Sequence, residues 1–112
     1  MSEGIVPKPT GTYEVSTGIS GVTAWMSGNM CTLAISSGTI STDTEGWMRL
    51  GYLPDGIRPK NNIRFCTYDN LGTTQGASTI LQGLVQPNGS LSIYLYNDKK
   101  SAQPQGEVVY PV

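Results

Sequence analysis

Apolar side chains nowhere recur at i, i+3, i+4 and i+7 over more than a few residues of this chain, and Gly, Pro, Asn or Ser-Gly steps interrupt it repeatedly. Helix is therefore expected to be scarce. What remains is a set of short runs rich in Thr, Val, Ile, Tyr and Trp, at 11–17, 22–26, 30–36, 47–53, 63–68, 78–86, 90–96 and 107–112. Short β-prone runs set between turn residues at regular intervals are the pattern of an all-β fold, an antiparallel β-sandwich or jelly-roll-like barrel. With 112 residues, 38% of them hydrophobic, the chain suits one such domain over 11–112 and is too short for two. Residues 1–10, where Pro7 and Pro9 flank Lys8, carry no strand pattern and read as a linker or N-terminal junction.

In the run at 30–36, Cys31, Leu33 and Ile35 alternate with Thr32, Ala34 and Ser36, so one face of that strand turns to the core. The strongest local signal is Asn88-Gly89, which between two β-prone runs predicts a two-residue type I′ hairpin turn. Pairing across such a turn puts Leu84 opposite Ile93, with Leu91 and Leu95 on the same core-facing side. The other side then carries Leu81 and Val85 beside Tyr94 and Tyr96, with Gly83 opposite Tyr94 and covered by its ring. Two apolar faces need two covers, and the second is a further sheet of the domain, a ligand or a neighbouring subunit. Leu81, Val85, Tyr94 and Tyr96 are thus candidates for a subunit interface.

Histidine is absent, which removes Ser-His-Asp and Cys-His catalysis, most zinc sites and the usual pH switch. Seven Lys and Arg against eight Asp and Glu leave no positive excess for phosphate backbones, so nucleic acid is not an expected partner. No apolar run approaches the roughly 20 residues of a membrane span, and the N-terminus lacks a signal-peptide pattern. Cys31 and Cys66 form no CxxC pair and read as small buried hydrophobes with free thiols, a disulfide between them staying open. Asp43, Glu45, Asp55, Asp69 and Asp98 fall in expected loops, where turn formation and solvation account for them; Asp55 sits in a Pro-Asp-Gly turn. Gly18-Ile19-Ser20-Gly21 lacks the lysine of a phosphate loop. No catalytic residue, metal or cofactor is assigned, and the chain is not read as an enzyme.

Aromatic rings are the remaining chemistry, because saccharides stack on Trp and Tyr while Asn, Asp and Gln bond their hydroxyls. Trp25, Trp47, Tyr52, Tyr68, Tyr94 and Tyr96 are the available platforms, and Trp47, set among apolar neighbours, reads as core. Tyr68 leads into Asp69-Asn70 and Tyr96 into Asn97-Asp98. These six are the candidate saccharide-binding residues; packing of strand-end tyrosines on the rim of the fold is the competing reading.

The stretch GWMRLGYLPDGIRP ending at Pro59 is more specific than composition. It resembles a motif of the receptor-binding and tail-fibre tip (head) domains of phages and prophages of Gram-positive bacteria, in which a strand ends in Leu-Pro and is followed by Gly and Arg-Pro, here Leu53, Pro54, Gly56, Arg58 and Pro59. The hairpin up to Tyr96 and the closing Val108-Val109-Tyr110-Pro111-Val112 are similar to later features of those domains, so the likeness spans 30–112. It implies a homotrimeric β-sandwich or jelly-roll head at the virion tail, made in the bacterial cytoplasm. Its partners would be other tail or baseplate proteins and a host cell-wall polysaccharide or other surface glycan. The resemblance transfers no binding residue: LPDGIRP reads as a structural turn, with Pro54 and Pro59 fixing φ and Arg58 free to reach a carbonyl or carboxylate. A structural trimeric tip component and a carbohydrate-binding module of a bacterial protein remain as alternatives. A glycan-cleaving enzyme is disfavoured by the missing histidine and the lack of a carboxylate pair.

Overall fold

The computed structural model describes residues 12–69, 80–96 and 101–112. Each expected run is a strand where it is described: β1 (Thr12–Val15), β2 (Val22–Ser27), β3 (Met30–Ser36), β5 (Gly46–Tyr52), β6 (Ile63–Asp69), β7 (Ile80–Val85), β8 (Ser90–Leu95) and β10 (Pro104–Pro111). Two short strands join them, β4 (Ile40–Ser41) and β9 (Ser101–Ala102), which pair with each other. Among the described residues the one helical element is a single 3-10 turn at Asp55–Ile57. The fold is all-β and antiparallel. The expected linker at 1–10 lies outside the described residues.

Eight strands form one sheet in the order β1-β2-β3-β10-β6-β7-β8-β5. The closing strand β10 is its centre: it pairs with β3 over seven residues, from Gln105↔Ser36 to Pro111↔Met30, and reaches β6 through Pro104↔Asp69 and Gln105↔Tyr68. In a flat sheet β1 and β5 would stand about 34 Å apart, seven steps of roughly 4.8 Å. Here the loop after β1 touches β5, since a Cβ on Gly51 would lie 2.7 Å from the Ile19 side chain. The sheet is therefore curled, with an inner and an outer face.

Inside the curl, Val22, Ala24, Met26, Cys31, Leu33, Ile35, Val108 and Tyr110 meet Leu53, Ile57, Val85 and Leu91 from the other half. Leu81, Ile93, Leu95 and Ala102 form a second cluster, joined by Ile40 from the small β4–β9 sheet. Each large apolar side chain so buried stabilises the fold by about 1.5–3 kcal/mol relative to exposure.

The β7–β8 hairpin departs from the sequence expectation by one residue. A two-residue Asn-Gly turn needs the Pro87 backbone to donate to Ser90, and proline has no N–H. Gln86 donates instead, its N–H bonding to Ser90 O at 3.0 Å, while Gly89 N–H closes a turn on Gln86 O at 2.8 Å. Asn88 keeps a negative φ, and Gly89 alone is left-handed, with φ 91°. The loop is thus a three-residue turn with a bulge at Gly89 rather than type I′. One extra residue reverses every side chain on one strand relative to the other. Val85 faces Leu91 and Gly83 faces Ile93, whereas Leu84 pairs with Ser92 on the outer face, where both are nonetheless buried. Leu81 and Val85 are consequently core residues, fully buried within a single chain, and not parts of a subunit seam. Gly83 is covered not by Tyr94 but by Phe65 from β6.

Leaving β5, the chain runs through LPDGIRP, which clamps three parts of the fold together. Arg58 Nε donates to Leu53 O at 2.8 Å and its guanidinium lies 2.8 Å from Asp55 Oδ1, so it reaches both a carbonyl and a carboxylate. Leu53 N–H bonds to Gly89 O at 2.8 Å, and the Tyr110 hydroxyl donates to Ile57 O at 2.6 Å. The hairpin turn and β10 are both tied to this segment.

Candidate functional site

Three aromatic rings stand together on the outer face where β5 meets β8. Trp47 pairs directly with Tyr94, their rings edge-to-face with centroids 5.2 Å apart, and Tyr96 packs against Tyr94 in the same manner at 5.1 Å. Trp47 is 43% exposed, so the sequence reading of it as core is corrected. Alternation along β5 is the cause: Met48 and Leu50 are half-buried towards the inside, which turns Trp47 and Arg49 to solvent.

Polar groups rim these rings. The Tyr94 hydroxyl donates to Glu45 Oε2, and that bond, with desolvation and the carboxylate's charge, pushes the tyrosine pKa above its ordinary value. Gln82 Nε2 donates to the Tyr96 hydroxyl at 3.5 Å. The Arg64 guanidinium lies 6.0 Å from the Trp47 ring centroid. Arg49 Nε donates to Ser90 Oγ at 3.3 Å, and its guanidinium stacks 4.8 Å from the Tyr52 ring.

That last contact depends on a break in β5. Residues three apart in a regular strand point to opposite faces, yet Arg49 pairs with outer Ser92 and Tyr52 with outer Ser90. The register shifts between Arg49 and Gly51, leaving Leu50 without a partner, and this bulge brings Arg49 and Tyr52 to one side. Leu50 packs into both core clusters, and Gly51 makes room for Ile19.

Among the sequence candidates, Tyr96 belongs to this aromatic group. Tyr68, 60% exposed, is on the same outer face opposite Ile80 and Gln105. Asp69 points the other way: it is only 4% exposed, and its Oδ1 accepts the Gln103 N–H at 3.0 Å, fastening the end of β6 to the start of β10. Tyr68 and Asp69 therefore do not act on one ligand surface. Asn70, Asn97 and Asp98 lie outside the described residues. Tyr94 was among the aromatic platforms and interface candidates, and Trp47 was a platform read as core, whereas Arg49, Arg64 and Gln82 were not singled out, because their faces follow from how β5, β6 and β7 pair with their neighbours. Cys66 is exposed on the outer face and Cys31 buried; both thiols are free, so only Cys31 is the buried hydrophobe expected.

Two recesses accompany the surface. An open groove of about 530 Å³ runs along the β1–β2 loop past Glu14, Thr17 and Thr23, and contains no aromatic ring. A smaller one of about 290 Å³ is bounded by Ile19, Ser20, Ser37, Thr39, Ile40 and Arg49. No protein-family model matches the sequence, and no curated protein matches it.

Proposed function

We propose that this domain is a non-catalytic saccharide-binding module of the host-adhesion type, acting at a phage tail tip on a bacterial surface glycan. The observation that carries the reading is the group formed by exposed Trp47 and half-buried Tyr94 and Tyr96, rimmed by Glu45, Gln82, Arg49 and Arg64. Ring faces of this kind take the apolar face of a pyranose, and the surrounding amide, carboxylate and guanidinium groups supply hydroxyl partners. The resemblance of LPDGIRP to tail receptor-binding domains supports the setting. A homotrimer rests on that resemblance alone, since Leu81 and Val85 are covered from within one chain. Three copies would multiply a weak single-site affinity through avidity. Light scattering at about three times the 12.0 kDa chain mass is the expected result for that assembly.

The test is adsorption of the purified domain to cell-wall polysaccharide from Gram-positive bacteria, with Trp47→Ala and Tyr94→Ala compared with the parent. Binding that both substitutions weaken while the fold survives is expected. A folded parent that adsorbs to no such polysaccharide refutes the adhesion reading and leaves a structural tip component.

A further inference from the structure

The outer face holds two arginines beside the aromatic group, and their placement bears on which saccharide it takes. Arg49 pairs with Ser92, Ser92 with Leu84 and Leu84 with Arg64, so the two cations end one cross-strand row next to the Trp47–Tyr94 pair. Among the described residues the ion pair is Arg58 with Asp55, and neither Arg49 nor Arg64 is matched with a carboxylate. Arg49 spends one donor on Ser90 and stacks on Tyr52, which fixes the guanidinium and leaves its other N–H groups for a ligand. It also borders the 290 Å³ recess, whose other polar lining residues are Ser20, Ser37 and Thr39, with no carboxylate; the Ser37 hydroxyl donates to Gly38 O and Thr39 Oγ1 accepts from Gln103 Nε2.

We propose, building on the saccharide reading, that the ligand is an anionic glycan carrying a phosphate or carboxylate group. A sugar ring lies on Trp47 while the charged group meets Arg49 at the mouth of the recess, about 7 Å further along β5. Arg64, whose guanidinium lies over one face of the Trp47 ring at 6.0 Å from its centroid, adds a second positive charge and leaves the other face for the sugar. Glu45 lies just before β5, on the other side of Trp47 along the chain from Arg49, and accepts the Tyr94 hydroxyl. A planar guanidinium binds either oxyanion bidentately, so phosphate and carboxylate share this chemistry.

The experiment is binding of the intact chain to a printed array of neutral, carboxylated and phosphorylated glycans, repeated at rising ionic strength and with Arg49→Gln, Arg64→Gln and Trp47→Ala. The expected outcome is recognition of acidic glycans, weakened by salt, reduced about tenfold by Arg49→Gln and lost in Trp47→Ala. The two acidic classes separate phosphate from carboxylate recognition. Should Arg49→Gln fail to fold, the salt dependence of the parent chain decides. Recognition confined to neutral glycans and indifferent to salt overturns the anionic assignment and leaves the saccharide reading standing. Recognition of no glycan of any class overturns both.

Discussion

The Phe65 ring fills the space over Gly83, its partner across the β6–β7 pair, so closely that a Cβ at position 83 would fall inside the ring. Glycine weakens a strand, and an aromatic cross-strand neighbour compensates by covering the bare backbone. Gly83→Ala is expected to destabilise the domain by about 1–3 kcal/mol through overpacking. Urea unfolding measures the loss, and adding Phe65→Leu should restore part of it. Strictly additive losses in the double variant would show that the two positions do not compete for space.

Gly89 combines a left-handed φ of 91° with close neighbours, Arg58 Nε at 2.6 Å and Leu53 O at 2.7 Å from an added Cβ. Gly89→Ala therefore strains the turn and pushes on a backbone carbonyl that cannot easily move. A loss of at least about 2 kcal/mol is expected in thermal or urea unfolding. Wild-type stability in this variant would mean that the LPDGIRP clamp is loose.

How much of this was legible in the sequence follows from particular residues. Runs such as 30–36 and 63–68 were readable because β-branched and aromatic residues stand between Gly, Pro and Asn punctuators, a purely local signal. The hairpin register was misread although its cause was visible: Pro87 lacks the N–H that a two-residue turn requires. From that one residue the errors at Leu81 and Val85 follow, because faces inherit register; Leu84 is buried as expected but on the opposite face, with Ser92 and not Ile93 as its partner. The exposure of Trp47 and the bulge at Leu50 depend on how β5 sits against β8, a contact between segments about 45 residues apart that no local pattern encodes. Strands β4 and β9, two residues each, were too short to carry any periodicity.

The two thiols should separate kinetically. Cys66 is exposed on the outer face, whereas Cys31 is fully buried, and that burial pushes its pKa above 9.0 against a smaller opposing effect of the Tyr110 hydrogen bond. A thiol reagent is expected to modify one cysteine in the native domain and the second only on unfolding. Rapid native modification of both would contradict the packing of Cys31 against β10.

Alkaline pH should unfold the domain through the same region. Burial, and then the contact with Cys31, hold the Tyr110 pKa far above its ordinary 10.0, and the Cys31 pKa is also raised. A raised folded pKa means that the unfolded chain loses its proton first, so stability is intact below the unfolded values and falls as pH climbs past them. Melting temperature is expected to decline above about pH 9 and more steeply above about pH 10. Tyr110→Phe should flatten the steeper part, at a cost of about 1–3 kcal/mol near neutrality because Ile57 O loses its buried donor. Tyr94→Phe serves as the control for the other raised tyrosine. An unchanged alkaline slope in Tyr110→Phe would assign the titration elsewhere.

Trp47 and Asp69 should respond to alanine substitution in opposite ways, reversing what their sequence contexts suggest. Trp47, exposed beside Tyr94 and Arg64, contributes surface packing, so Trp47→Ala is expected to shift stability by only about 0.5–1 kcal/mol. Its effect on glycan binding should be larger, about tenfold or more, because the ring is the platform itself. Asp69 is buried and holds the Gln103 N–H, so Asp69→Ala removes a charge-assisted bond and should cost about 1.5–3 kcal/mol while the folded fraction binds as the parent does. Chemical denaturation and glycan binding measured on both variants give the comparison. Loss of binding in folded Asp69→Ala with full binding in Trp47→Ala would move the site from the outer face of β5 and β8 to the end of β6.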